Sequence, residues 1–333
     1  MENWRHQQAN QTMSTTVQPR EMSVTLPVGQ AMDRVKKVLF QPSDIGRWFA
    51  IGFCAWLAYL GEGGGLTSGF NYGGHNGHGR HSIRDGFEQA RDYVMHNIAW
   101  IAPLAIALIL VSLAIWLVVM WLSSRGRFMF LYCVALNAAE VQVPWVRFAP
   151  EANSLFLFRL VISLISLVVM LPLVGGLLLV VMRMVFREAV SPGGLLLAVA
   201  LVLAMIAVGI VFWIIGRLTR DFVVPLQFLR RSRCLDAWRE LSGLLRGNIG
   251  NLVLYFLFRI VLAIAITVIV VGVVLVTCCI AGCLFALPYL GTVFLLPILV
   301  FERAYSLHYL AQFGPDYDVF SPPATGVSGM ASA

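Results

Sequence analysis

The chain has 333 residues, 59% of them hydrophobic and only 12% charged, with a mean hydropathy of +0.80, whereas soluble domains are roughly 45–50% apolar and about 25% charged. That balance excludes an ordinary soluble enzyme and predicts a multi-pass membrane protein, with room for about six helical spans and none for a separate soluble catalytic domain. The 24 Lys and Arg set against 17 acids therefore point to membrane topology and anionic lipid headgroups, not to nucleic acid.

Residues 1–27 are rich in Gln, Thr and Ser and lack an apolar core, so they are expected to be a disordered cytoplasmic tail and not a signal peptide. Val28, Ala31, Met32, Val35, Val38 and Leu39 then recur at helical spacing opposite Asp33, Arg34, Lys36 and Lys37, the pattern of a helix lying in the membrane interface. Asp44 or Ser43 caps the first predicted span, 45–60, with Arg47 and Trp48 at headgroup level. A glycine-rich loop with His75, His78 and His81 follows. The second span, 98–121, carries Trp100, Trp116 and Trp121, and Gly126 is expected to end its helix. Span three, 155–185, contains Pro172 and Gly175-Gly176, which should bend it. A Ser-Pro-Gly-Gly turn at 191–194 leads to span four, 195–215. A basic elbow between Arg217 and Arg246 precedes spans five and six, 252–276 and 284–306. Residues 313–333 are expected to be a second disordered cytoplasmic tail, closing a membrane domain over 28–312.

Asn153 to Val161 and Asn251 to Val261 both carry Leu-Phe-Arg followed two residues on by Val, each after a Trp-containing surface segment. This predicts an internal repeat of surface helix plus helical hairpin. With the N-terminus inside, 17 Lys and Arg fall in inner segments and 5 in outer loops, Arg159 and Arg259 being set aside; both termini are then cytoplasmic.

Arg159 and Arg259 lie near the inner ends of their helices. Each can snorkel to the headgroups, or bind a lipid phosphate or an acidic partner such as Glu302, because a guanidinium matches planar anions bidentately. At the elbow, Arg230, Arg231 and Arg233 precede an amphipathic face of Leu235, Trp238, Leu241 and Leu245. Insertion into an anionic leaflet accounts for both features; the positive-inside bias accounts for the charges alone. The three histidines could gather a transition metal, but glycine supplies no rigid second shell, so a solvated loop is the plainer reading. The six cysteines form no CxxC pair and read as small hydrophobes. The spans hold no carboxylate near their centres and the chain no Walker loop, HExxH or GxSxG, so neither a proton relay nor an enzyme is expected.

The segments Ser124-Arg-Gly-Arg-Phe-Met-Phe-Leu, Ala152-Asn-Ser-Leu-Phe-Leu-Phe-Arg-Leu and 300–320 resemble those of an uncharacterised family of bacterial six-span membrane proteins. More distantly, the layout resembles the membrane domain attached to some glycerophosphodiester phosphodiesterases, without room for their catalytic barrel. The resemblance implies a bacterial cytoplasmic (inner) membrane location and no specific activity. The sequence therefore predicts an all-α integral membrane protein with six spans and amphipathic interfacial helices, non-enzymatic and without cofactor. It would be an organising or accessory subunit that binds lipid, a protein partner or a second copy at its cytoplasmic face. The alternative is a transporter or channel-like protein for a small or lipidic substrate; a metal-dependent enzyme built on the His loop is a third.

Overall fold

The computed structural model describes residues 23–41, 44–60, 93, 95–186, 192–277 and 287–320. Among these the regular elements are all helical, with no strand. In chain order they are α1 (Leu26–Phe40), α2 (Ile45–Tyr59), α3 (Ile98–Leu136), α4 (Gln142–Arg147), α5 (Ala149–Phe186) and α6 (Pro192–Leu218). A π turn (Thr219–Val223) joins α6 to α7 (Val224–Arg230), followed by α8 (Cys234–Arg246), α9 (Ile249–Val276), α10 (Pro288–Phe294), α11 (Leu296–Ala311) and a 3-10 turn (Pro315–Tyr317).

Among the described residues four helices are long and apolar enough to cross a membrane: α3, α5, α9, and α6 continued through the π turn and α7, each 28 to 39 residues. At about 1.5 Å per residue they exceed a hydrocarbon layer of about 30 Å. Their outer halves form a shaft whose side chains face outward; Leu196 is 71% exposed and Val276 88%. A surface this continuous and apolar is matched by lipid and penalised by water. The opposite halves run into a packed base.

The base is built on the second half of α3, where Phe128, Met129, Leu131, Cys133 and Val134 are fully buried. Gly126 does not end the helix, as its sequence position predicts. It is a contact point, because a Cβ there would stand 2.4 Å from the carbonyl carbon of Leu57 and 2.5 Å from the nitrogen of Ala58 on α2. α2 runs antiparallel along this half of α3, tied by Ser123 Oγ donating to the Ala58 carbonyl at 3.0 Å and by Arg47 donating to the Asn137 carbonyl at 2.8 Å. α3 stops at Asn137, whose left-handed φ of 54° is one that asparagine tolerates.

Among the described residues there are thus four spanning-length helices where the sequence predicts six spans, and residues 284–286 of the sixth lie outside them. The first predicted span is a 15-residue helix, α2. The last resolves into α10 and α11, of 7 and 16 residues, separated at Leu295, two positions before Pro297. Both pack into the base, α10 setting Val293 on Gly52. α5 continues as one helix through Pro172 and Gly175-Gly176.

Two helices read as interfacial turn their apolar faces to protein. In α1, Ala31, Val35, Val38 and Leu39 are buried, with α11 as the principal neighbour. In α8, Cys234, Ala237 and Leu241 are buried against the π turn, α5 and α7. Amphipathicity marks an apolar neighbour without saying whether that neighbour is lipid or core. Residues 313–320, expected to belong to the C-terminal tail, pack on the base: Phe320 stacks on His308 at 4.3 Å and Arg34 lies 4.7 Å from the Phe320 ring; residues 321–333 lie outside the described residues.

Candidate functional site

The charges at the junction of shaft and base are organised by one proline. Pro225 has no N–H to donate. Val224 N–H closes a π-type bond to the Thr219 carbonyl, and the next bond in that register, from residue 225 to Arg220, cannot form. The Arg220 carbonyl instead accepts from Arg303 Nη1 of α11 at 2.6 Å. A π turn inside a spanning helix also swings its side chains out of α register, and here it faces Asp221 inward.

Asp221 is 3% exposed. Its carboxylate pairs with Arg217 at 3.3 Å and accepts from the Tyr255 hydroxyl at 3.0 Å. Arg259, one helical turn beyond Tyr255 on α9, pairs with Glu302 Oε2 at 3.4 Å and donates to the Glu302 backbone carbonyl at 3.2 Å. The rings of Tyr255, Tyr305, Tyr309, Phe222 and Phe258 close around these groups with centroid separations of 4.6 to 6.2 Å. A buried cation in such surroundings is tolerable only with its partner in place.

Arg159 has neutral neighbours. Its Nη1 donates to Ser124 Oγ at 3.0 Å, Ser123 Oγ at 3.3 Å and the Met120 carbonyl at 3.4 Å. With Arg127, Arg217 and Arg220 it lines an open-sided cavity of about 430 Å³ between α3, α5 and α6. α5 packs on both α3 and α6 and floors the cleft. The four guanidiniums belong to the base end of the cavity. Trp116, Ile162, Phe212 and Trp213 line it toward the shaft, together with Ser163 and Ser166, while Phe158 lines its base end beside Trp238 of α8. Among the described residues that line it there is no carboxylate.

The elbow residues are engaged within the base. Arg230 pairs with Glu240 at 3.3 Å and lies 5.6 Å from the Tyr317 ring. Arg231 pairs with Glu151 at 3.2 Å and lies 4.3 Å from the Phe148 ring. Arg233 is exposed just before α8. Trp238 packs on Phe158 at 5.8 Å, so it faces α5 and not a leaflet. Burial pushes the Cys234 thiol up to about 12, which makes it an inert core group. His75, His78 and His81 lie outside the described residues. Among the described residues no three His, Cys, Asp or Glu cluster as metal ligands.

The structure therefore places Arg259 with Glu302 and leaves Arg159 elsewhere, with Arg127, Arg217 and Arg220. The sequence treats those three only as topological charges, and Asp221, Tyr255 and Arg303 carry no motif. Two signals were readable: the Arg217-Asp221 spacing of four, which pairs residues on a helix face, and a proline inside an apolar helical run.

Comparison with known proteins gives one family match. The model of a family of unknown function (DUF7544) matches residues 22–298. No curated protein and no solved structure matches the chain, and nothing links it to the membrane domains of glycerophosphodiester phosphodiesterases. A match over most of the chain fixes membership: the chain belongs to the family of unknown function DUF7544.

Proposed function

We propose that the protein is a non-enzymatic multi-pass protein of a bacterial cytoplasmic membrane. In this reading the shaft is embedded and the base faces the cytoplasm with both termini. The base serves as an organising or accessory platform that binds anionic lipid headgroups or a partner chain. The observation that carries the reading is the level at which guanidiniums accumulate: Arg127, Arg159, Arg217 and Arg220 line one cavity where the apolar shaft meets the base. Cations at that level meet phosphate, and anionic leaflets add about 1 kcal/mol per nearby cation. The excess of Lys and Arg on base-side segments supports the inward orientation.

The test is to extract the protein from membranes in mild detergent and identify what it retains by mass spectrometry, and to label a cysteine placed at Arg233 with a membrane-impermeant reagent. Retained anionic lipid or a stoichiometric partner, with labelling only in inverted vesicles, supports the reading. Fractionation away from membranes, or labelling from outside, overturns it. A transporter is the second reading, favoured by the extension of the cavity to Ser163 and Ser166 within the apolar length of α5. It predicts substrate flux in reconstituted vesicles.

A further inference from the structure

The arginine cavity has two chemically distinct ends, and a ligand that satisfies both is an amphiphile. We propose that this cavity is a binding site for a single phosphate-headed lipid, its phosphate held by Arg159 and its chain lying against Trp116, Phe212 and Trp213. The inference deepens the lipid-binding reading above and rests on it, but it assigns the lipid to one pocket instead of to the surface of the base.

Three observations converge. First, Arg159 is held by neutral oxygens of Ser123, Ser124 and Met120. These orient the guanidinium without neutralising it, and among the described residues its second terminal nitrogen has no hydrogen-bond partner that competes with a ligand. Second, the described residues that line the cavity include arginine and no carboxylate, so an anion is a more favourable occupant beside Arg159 than a cation. Asp221 is already committed to Arg217 and Tyr255. Arginine suits phosphate in particular, since its planar fork donates two parallel bonds to a tetrahedral oxyanion. Third, the cavity continues from the guanidiniums along apolar and aromatic side chains of the shaft and is open on one side, which a free inorganic anion does not need and an acyl chain does. Trp116 and Trp213, 44% and 54% exposed, are amphipathic rings of the kind that sit near headgroups.

The experiment uses the full chain, delipidated in neutral detergent, and measures binding of dioctanoyl phosphatidate, dioctanoylglycerol and inorganic phosphate by titration calorimetry. The phosphatidate is expected to bind, with each of the other two weaker by about tenfold or more, since a charge-assisted hydrogen bond alone is worth about that factor. Arg159→Gln should weaken phosphatidate by about tenfold or more, with Arg159→Lys in between. Ser166→Phe, which fills the shaft end, should weaken phosphatidate and leave inorganic phosphate unchanged. Equal binding of inorganic phosphate and phosphatidate overturns the lipid assignment. Equal binding of dioctanoylglycerol overturns the phosphate assignment. If native lipids co-purify with wild type and remain at the same level in Arg159→Gln and Ser166→Phe, this pocket is wrong while the broader reading stands. Absence of any retained lipid or partner would instead remove the broader reading.

Discussion

Arg159 and Arg259 occupy matching positions in two similar sequences, Leu-Phe-Leu-Phe-Arg and Tyr-Phe-Leu-Phe-Arg, yet the regions around them differ in kind. Around Arg259 the protein supplies the anion itself, Glu302, and closes aromatic rings over the pair. Around Arg159 the described residues supply hydroxyl and carbonyl dipoles and an adjoining cavity. The first region is finished as a piece of architecture, and the second is a socket. A charge in an apolar protein is therefore classified by its counter-ion, and similar flanking sequence does not reveal which kind it is.

The sharpest way to break that comparison is to remove one charge at each place and measure thermal unfolding of lipid-free protein in detergent. Arg259→Ala leaves Glu302 largely buried without its cation and should cost about 3–5 kcal/mol; a melting temperature within error of wild type would show that the pair is not structural. Gly126→Ala disturbs the frame that holds Ser123 and Ser124 beneath Arg159. The new Cβ meets backbone at 2.4 Å, and the helices must separate at a cost of about 1–3 kcal/mol. Arg159→Ala should have the smallest effect of the three, within about 1 kcal/mol of wild type or on the stabilising side. Ser123 and Ser124 keep their own bonds to Ala58 and Met120, so no donor is orphaned. A loss as large as that of Arg259→Ala would make Arg159 architectural too.

A pH series separates both arginine regions from the outer face of the base. Burial lowers His308 from 6.5 to about 4, with Asp318 opposing and Arg34 reinforcing the shift, and its Nε2 has no hydrogen-bond partner among the described residues. The folded state therefore binds the proton less readily than the unfolded chain. The stability contributed by the neutral ring is complete above about 6.5 and is lost as pH falls toward 4. Between pH 7 and 5 wild type should lose melting temperature relative to His308→Phe, which keeps the stack on Phe320. Parallel curves would mean that the ring is already solvated.

Some of this could be read from the residues alone. A lone Arg in an apolar run demands an explanation, and Glu302 was a nameable partner for Arg259 because few carboxylates exist near spanning segments. What could not be read depends on neighbours distant in sequence. Gly126 looks like a helix breaker because glycine propensity is a local quantity, whereas the helix continues because α2 needs the missing Cβ. The apolar faces of α1 and α8 look ready for lipid because periodicity reports only that one side is dry. Among the described residues 45–60 and 287–306 form shorter helices packed in the base, which hydropathy does not distinguish from membrane helices when length is marginal. Arg303 was counted as one more inner charge, and only the Pro225 geometry shows it capping the Arg220 carbonyl.

The contact between α1 and α11 has a consequence for biogenesis. Gln312 forms a reciprocal pair with the backbone of Ser23, both bonds 2.9 Å, and Tyr305 donates to the Val24 carbonyl at 3.2 Å. The first described helix thus docks on the last, with more than two hundred residues translated between them. At about 5–20 residues per second the ribosome takes tens of seconds to deliver that partner. During this interval the apolar side of α1 lacks its main protein neighbour, and the nascent bilayer surface is the adjacent apolar phase. The amphipathic pattern of residues 28–39 then describes a waiting position, and the base closes only once α11 has been made.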